Sequence, residues 1–355
     1  MKKSLIALAV LGAVAGAASA QTNVTIYGVV DAGIGYRDNG NPAGKTLSQD
    51  SGVQSGSRLG FKGSEDLGGG LSAIFTLENG FNVDDGSLAQ GGRLFGRQAW
   101  VGLNGGFGAV KLGRQTTALY NALLQVDPFQ INLAGNAQRV FGYGLYAADP
   151  LSRTDNTISY STPNVGGFSG SVSYGFGEQA GDNSAKRNVG VGAAYVNGPL
   201  NVQFAYQDSA TAGLTTQVTS TLGLPAAATA DLKAAFIGAT YNFGVAKAHL
   251  AFADNKLELA GETVKDRNWL AGVSVPVSAA GTVLASYIRN DVRNADNAQS
   301  DQYAIGYTHA LSKRTNLYTS YSYLKNDSNV AVNAYSGATG GETVRVVNVG
   351  VRHSF

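Results

Sequence analysis

Apolar and polar residues alternate one by one through most of this chain, and that alternation limits the folds open to it more than any other feature. In Val24-Thr25-Ile26-Tyr27-Gly28-Val29-Val30-Asp31-Ala32, one face carries Val24, Ile26, Val30 and Ala32, and the other Thr25, Tyr27, Val29 and Asp31. Period two is the signature of a β-strand. It recurs in sixteen segments, near residues 23–36, 55–64, 71–82, 93–104, 107–114, 153–162, 167–177, 187–197, 200–208, 233–242, 246–254, 266–276, 281–290, 300–310, 314–325 and 343–355. Past residue 20 no apolar run approaches the ~18 residues of a membrane helix. The connectors alternate in length. Short ones such as Gly105-Gly106 and Gly198-Pro199 are followed by long ones near 37–54, 83–92, 115–152, 178–186, 209–232, 255–265, 291–299 and 326–342.

The chemistry of the two faces decides which solvent each one meets. The polar faces hold Thr, Ser, Gln, Asn and Gly with scattered Arg, Lys, Asp and Glu, too many for a dry core. Inverting the arrangement gives an apolar face toward lipid and a wet interior, with short turns at one rim and long loops at the other. Closure leaves no unpaired backbone edge, as hydrocarbon demands, and about sixteen strands enclose a lumen too wide for side chains to fill. The fold expected is all-β, a 16-stranded antiparallel transmembrane β-barrel. The competing fold is a secreted glycine-rich β-sandwich or solenoid.

The N-terminus agrees with export. Lys2 and Lys3, the apolar run 5–14 and Ala18-Ser19-Ala20 form the three parts of a secretory signal peptide, so residues 1–20 are expected to be cleaved before Gln21. Residues 21–355 then balance at 24 basic against 24 acidic, because Lys2 and Lys3 are two of the 26 Lys and Arg. A neutral chain carries no electrostatic footprint for nucleic acid. With no cysteine, disulfide scaffolds, zinc-thiolate sites, iron–sulfur clusters and cysteine nucleophiles are excluded. The three histidines, His249, His309 and His353, are expected on outer faces or rims, in no catalytic or metal-ligand spacing. Gly40-Asn41-Pro42-Ala43-Gly44-Lys45-Thr46 has one residue too few between its glycines for a phosphate loop. No enzyme and no cofactor are expected.

Alternation also sorts the charges. With Leu59 and Phe61 outward, Arg58 and Lys62 share the luminal side, and Glu78 faces inward beside outward Phe75 and Leu77. Outward Ile158 and Tyr160 send Arg153 and Asp155 inward. Arg97 stays ambiguous: it is luminal if Trp100 faces lipid, and not if Val101 and Leu103 do. Charges so placed could simply solvate a wet wall.

Segments 23–36, Ser57–Leu71 (SRLGFKGSEDLGGGL), Leu94–Leu103 (LFGRQAWVGL), Lys111-Leu112-Gly113-Arg114-Gln115 and the ending Val349-Gly350-Val351-Arg352-His353-Ser354-Phe355 together resemble the general trimeric porins of Gram-negative outer membranes, most nearly the β-proteobacterial group. The resemblance spans residues 21–355. It implies an outer-membrane homotrimer, surrounded by lipid and lipopolysaccharide, that passes small hydrophilic solutes by passive diffusion. It also implies a third outer loop, residues 115–152, folded into the lumen as a constriction. Tyr120, Leu123, Leu133, Phe141, Tyr143, Leu145 and Tyr146 could pack that loop on the wall. By motif position Arg58, Arg97 and Arg153 match a wall cluster, Glu78 a luminal glutamate and Asp127 the loop acid; Lys62, Asp31 and Asp155 are secondary lumen charges. The acidic loop motif Pro-Glu-Phe-Gly is absent. Three arginines against two carboxylates point to weak anion preference, with a substrate-specific channel for organic anions or phosphate as the alternative. Phe355 matches the terminal aromatic read by the barrel-insertion machinery.

Overall fold

The structure is a computed structural model describing residues 23–40, 44–141, 151–213, 229–259, 262–293, 295–330 and 340–355. The expected signal peptide, and Tyr143, Leu145 and Tyr146, lie outside the described residues. Seventeen strand segments form one sheet: β1 Asn23–Asp38, β2 Lys45–Ser51, β3 Arg58–Gly68, β4 Leu71–Gly80, β5 Gln98–Gly105, β6 Gly108–Thr116, β7 Arg153–Ser161, β8 Phe168–Gly175, β9 Asn188–Asn197, β10 Leu200–Gly213, β11 Thr229–Asn242, β12 Lys247–Leu259, β13 Glu262–Pro276, β14 Gly281–Val292, β15 Gln299–Ala310, β16 Thr315–Asn326 and β17 Thr343–Ser354. From β3 onward each pairs antiparallel with the next. Strand β1 pairs with β17 and closes the ring.

Seventeen segments make sixteen staves, because β2 and β3 share one. Strand β1 pairs with β2 along Ala32–Asp38 and with β3 along Asn23–Val29. The stretch 37–54, read from sequence as a plain connector, therefore contains a strand. Its polar composition (KTLSQDS) hides the alternation. Strand β5 starts at Gln98 rather than near 93, because Gln90, Gly91 and Gly92 take positive φ and turn the chain. Closure is sealed by reciprocal bonds between Gly28 and Phe355, each N–H donating to the other's carbonyl at 3.1 Å. A Cβ on Gly28 would come within 2.3 Å of the Phe355 ring, so glycine there lets the terminal aromatic lie flat against the first strand.

The two faces separate as the alternation predicts. Ile237 is 51% exposed while its neighbour Phe236 is 1% exposed, and exposed apolar side chains such as Val101, Leu250, Ile305 and Val349 ring the outside. The inner face is less uniform than expected. Over β10–β17 it carries buried Ala205, Leu232, Phe236, Ala253, Leu270, Ile288, Leu324 and Val346, in one cluster with Leu119, Ala122, Leu123, Val126, Val140 and Phe141. These partners belong to the segment after β6, whose helices α1 (Ala118–Val126) and α2 (Ala137–Val140) lie against the inner wall. Helix α1 starts on a Thr117 cap, whose Oγ1 accepts from the Tyr120 N–H at 3.0 Å, the usual arrangement for an orphan first-turn donor. Its buried residues Leu119, Ala122, Leu123 and Val126 are spaced three and four apart, one stripe of the helix.

Candidate functional site

The polar part of the inner wall is organised by one row of the sheet. Tyr27 on β1 stands opposite Gly60 on β3, and Gly60 opposite Glu78 on β4. A Cβ on Gly60 would sit 2.3 Å from the Tyr27 ring. The missing side chain thus lets the ring lie across β3, and the Tyr27 hydroxyl donates to Glu78 Oε2 at 2.8 Å. The other carboxylate oxygen accepts from Arg97 Nε at 2.7 Å, and both side chains are almost wholly enclosed. Arg58 Nη2 donates to Ser55 Oγ at 2.9 Å, and Arg97, Glu78, Tyr120 and Arg352 lie within electrostatic range of Arg58. Arg153 Nε donates to the Arg97 carbonyl at 3.0 Å, with its guanidinium 5.3 Å from the centre of the Tyr120 ring on α1. Arg58, Arg97, Arg153 and Glu78 therefore come together.

Arg97 arrives by a route that alternation misses. Val101 and Leu103 face outward and Trp100 inward, where Lys111 Nζ lies 4.4 Å from its ring. Strand parity would therefore send Arg97 out. It turns in because it precedes the first residue of β5, and its backbone N–H bonds the Glu78 carbonyl at 3.1 Å. Near Arg153 the β6–β7 register slips between Gly113 and Gln115, and Asn156 takes φ +51. Counting back from Ile158 across such a bulge still gives the inward side that Arg153 takes but misplaces Asp155.

Four expectations need correction. Asp127 is not a pore charge: it is 2% exposed. Its Oδ1 accepts from Phe129 N at 3.0 Å, and Oδ2 from Ile131 N at 2.8 Å and Ala137 N at 3.1 Å. Burial pushes its carboxyl up to about 6, partly offset by those three N–H groups. Asp31 is on the expected face but sealed over by the link between β2 and β3. Gln54 N and Ser55 N donate to its Oδ2 at 2.8 and 2.6 Å, and the Tyr318 hydroxyl to Oδ1 at 2.6 Å. Asp155 pairs with Arg114 at 2.6 Å and Arg93 at 3.0 Å. Arg114 stands opposite Ala99, on the outward face of Val101 and Leu103, so Asp155 belongs to the outer rim. His249 faces inward and is buried, with Nδ1 2.6 Å from the Val126 carbonyl and Nε2 3.0 Å from Ser274 Oγ. Lys62 does lie on the inner face, its Nζ 5.3 Å from the Tyr27 ring.

Tyr27, Lys111 and Arg352 were not singled out as site residues from sequence, and Tyr120 was read only as a residue packing the loop on the wall. Alternation placed Tyr27 inside, and Arg352 alternates with outward Val351 and His353. Nothing local marks Tyr120, whose partner is 33 residues away. Further contacts tie the loop in place: Leu133 N donates to the Val53 carbonyl at 2.8 Å, Ala134 N to Ser320 Oγ at 3.0 Å, and Asn255 Nδ2 to the Phe141 carbonyl at 3.0 Å. Between loop and wall lies a polar cavity of about 320 Å³, lined by Arg37, Asp50, Asn82, Asp84, Asn136 and Arg139 among others.

The profile of the Gram-negative porins matches residues 7–329. Outer membrane porin protein 32 of Delftia acidovorans is 39% identical over 367 residues, and an outer membrane porin of Bordetella pertussis 34% identical over 406, each alignment spanning both chains in full. Among solved structures, an anion-selective porin from Comamonas acidovorans superposes with a TM-score of 0.82 at 34% identity, covering 94% of this chain and all of the other. OmpT of Vibrio cholerae, solved in a trimer form, shares the fold at a TM-score of 0.71 and 15% identity, covering 94% of this chain and 99% of its own. A closed sixteen-stave barrel, an apolar belt and this profile lead to one conclusion: the chain belongs to the Gram-negative porin family and is a porin of the outer membrane.

Proposed function

We propose that this porin is a non-specific diffusion channel whose constriction prefers anions, formed by Arg58, Arg97, Arg153 and Glu78 facing the loop that begins after β6. The observation that carries the reading is the charge balance of the cluster. With Asp127 enclosed by backbone N–H groups, Glu78 stands among the three arginines, bonded to Arg97 and within electrostatic range of Arg58, and both its oxygens are engaged. Guanidinium stays charged at any ordinary pH. Fixed charges at a narrowing sort ions by acting at close range, inside the ~8–10 Å over which salt screens. Lys62 and Lys111, on the same inner face, extend the positive path. The anion selectivity of the Comamonas porin agrees with this sign.

The decisive experiment is a bilayer recording across a KCl gradient. Wild-type protein should give a zero-current potential of the anion-preferring sign, with conductance rising in proportion to salt. A conductance block saturating at low concentrations of an organic anion or phosphate would instead identify a substrate-specific channel. Around this core belong a homotrimeric assembly, cleavage after Ala20, lipopolysaccharide as the outer-leaflet neighbour and recognition of Phe355 by the insertion machinery. Deleting Phe355 should lower heat-resistant oligomer in membranes while leaving detergent refolding intact; equal loss in both would reduce Phe355 to an interfacial anchor.

A further inference from the structure

The register of β1 leaves a short step that the link between β2 and β3 has to span. Ala32 stands opposite Ser51 on β2, and Val29 opposite Arg58 on β3. Residues 52–57 are therefore set against Val30 and Asp31 alone, and a link so long over a step so short has to fold off the sheet. It folds over the inward side chain of Asp31, which is fully buried. The Asp31 backbone holds the two ends of the link: its carbonyl accepts from Gly52 N at 2.8 Å, and its N–H donates to Ser57 Oγ at 3.1 Å. The carboxylate holds the middle. Its Oδ2 takes the successive N–H groups of Gln54 and Ser55, an arrangement of backbone donors that suits an anion.

The link in turn touches the wall arginines on one side and the loop on the other. Ser55, whose N–H bonds Asp31 at 2.6 Å, accepts from Arg58 Nη2 on its Oγ at 2.9 Å. A Cβ on Gly56 would come within 2.8 Å of Arg97 Nη1, so glycine leaves that guanidinium room to lie against the turn. The Val53 carbonyl accepts from Leu133 N of the loop at 2.8 Å. A carboxylate that meets no solvent thus orders the turn on which two charges of the cluster rest.

We propose that Asp31 is a positioning residue for ion selectivity, holding Arg58 and Arg97 at the narrowing through the turn at 52–57. The proposal rests on the reading of those arginines as the selectivity cluster. It separates two effects of opposite sign. A carboxylate acting only through its charge opposes anions, so its loss favours them. A carboxylate acting through the turn favours anions, because it keeps the guanidinium charge beside the ion path.

Asp31→Asn and Asp31→Ala remove the same charge and differ in what they leave for the turn. The amide still offers one oxygen to Gln54 and Ser55, with its N–H₂ toward the Tyr318 hydroxyl, whereas alanine offers none. The full chain is recorded in planar bilayers across a KCl gradient at low salt, and zero-current potentials give the permeability ratios. Asp31→Asn should match the parent or move toward anions. Doubling the distance of one fixed charge from the ion path halves its Coulomb effect, so Asp31→Ala should show an anion-to-cation ratio about twofold below that of Asp31→Asn. In an Arg58→Ser background that difference should shrink. Equal ratios for the two variants, or a difference undiminished without Arg58, overturn the proposal while leaving the selectivity reading intact. An Arg58→Ser control with an unchanged potential would overturn the selectivity reading and this proposal with it. If Asp31→Ala does not assemble, Ser55→Ala decides, because Ser55 is the bonded step from Asp31 to Arg58: a lowered anion preference supports the proposal, and an unchanged one sinks it.

Discussion

Two stretches of the inner wall are built on the same strand alternation and differ in how their inward side chains are held. Along β1, β3, β4 and the entry to β5 the inward side chains are Tyr27, Asp31, Arg58, Lys62 and Glu78, held by hydrogen bonds and ion pairs. Along β10–β17 they include Phe236, Leu270, Ile288, Leu324 and Val346, held by the apolar stripe of α1 and by Phe141. Strand alternation treats both stretches alike. What separates them is what each packs against. Apolar side chains on β10–β17, set among buried Gln207, Asn268 and Gln302, meet the apolar stripe of α1, while the β1–β4 wall is closed by hydrogen bonds and ion pairs. The loop packs its apolar stripe on one wall, and its Tyr120 meets Arg153 of the polar wall.

The contrast breaks most sharply at Leu123, which is 1% exposed within the covered core. Leu123→Ala should cost roughly 2–5 kcal/mol of loop docking. Single-channel traces should become noisier and the exclusion limit should rise, with the sign of ion preference kept.

Asp127 comes next, because the family resemblance matched it to a loop acid facing the wall arginines and the structure encloses it within the loop. Asp127→Asn replaces one carboxylate oxygen with an N–H₂ donor. If that donor takes the Oδ2 position, the Ile131 and Ala137 N–H groups lose their acceptor, at about 1–3 kcal/mol each. Hydrogen exchange of those amides should accelerate, while the zero-current potential stays put; a shift toward anions would return Asp127 to the pore. The pH dependence has a definite sign. A carboxyl raised from 3.8 to about 6 on folding stabilises the loop below the lower value, and that stabilisation is lost as pH rises through the higher. The term is roughly 3 kcal/mol at most. Amide protection at Phe129 should thus increase on acidification from pH 7 to 4 in the parent and stay flat in Asp127→Asn.

The open wall is probed by Arg58→Ser with Arg153→Ser. One unit charge across a few ångströms of narrowed water is worth about 1–4 kcal/mol, so cation preference should rise several-fold at low salt, with conductance kept or increased. An unchanged potential would make these arginines mere wall. Smallest is Tyr27→Phe, which removes one of the two partners of Glu78. Freeing Oε2 should weaken anion preference by a factor set by about 1 kcal/mol or less, and Gly60→Ala should act in the same direction by lifting the ring.

The barrel itself was legible in the residues. The alternating segments fixed which face meets lipid at Ile237, Val101 and Val349, and the connectors set the antiparallel order, although 255–265, read as a long connector, is mostly paired strand. That succeeded because a strand's side-chain period is local and needs no partner to be read. The same logic failed wherever the chain left the strand. Lys45–Ser51 pairs without an apolar face, Arg97 precedes its strand, and Asp155 lies beyond a bulge; parity placed Arg153 inward, whereas Arg97 rested on motif likeness.

What tertiary structure alone decided is which inward residues stay in contact with water. Asp31 and Asp127 have the chemistry of pore carboxylates, and Phe236 and Ile288 that of lipid-facing residues, yet the folded chain buries all four. Burial depends on segments brought together from 23 residues away for Asp31 and Gln54, and from 114 residues away for Phe141 and Asn255. Alternation records the side of the wall a residue takes. It carries no information about what else packs against that side, because desolvation is set by neighbours in space and not by neighbours in sequence.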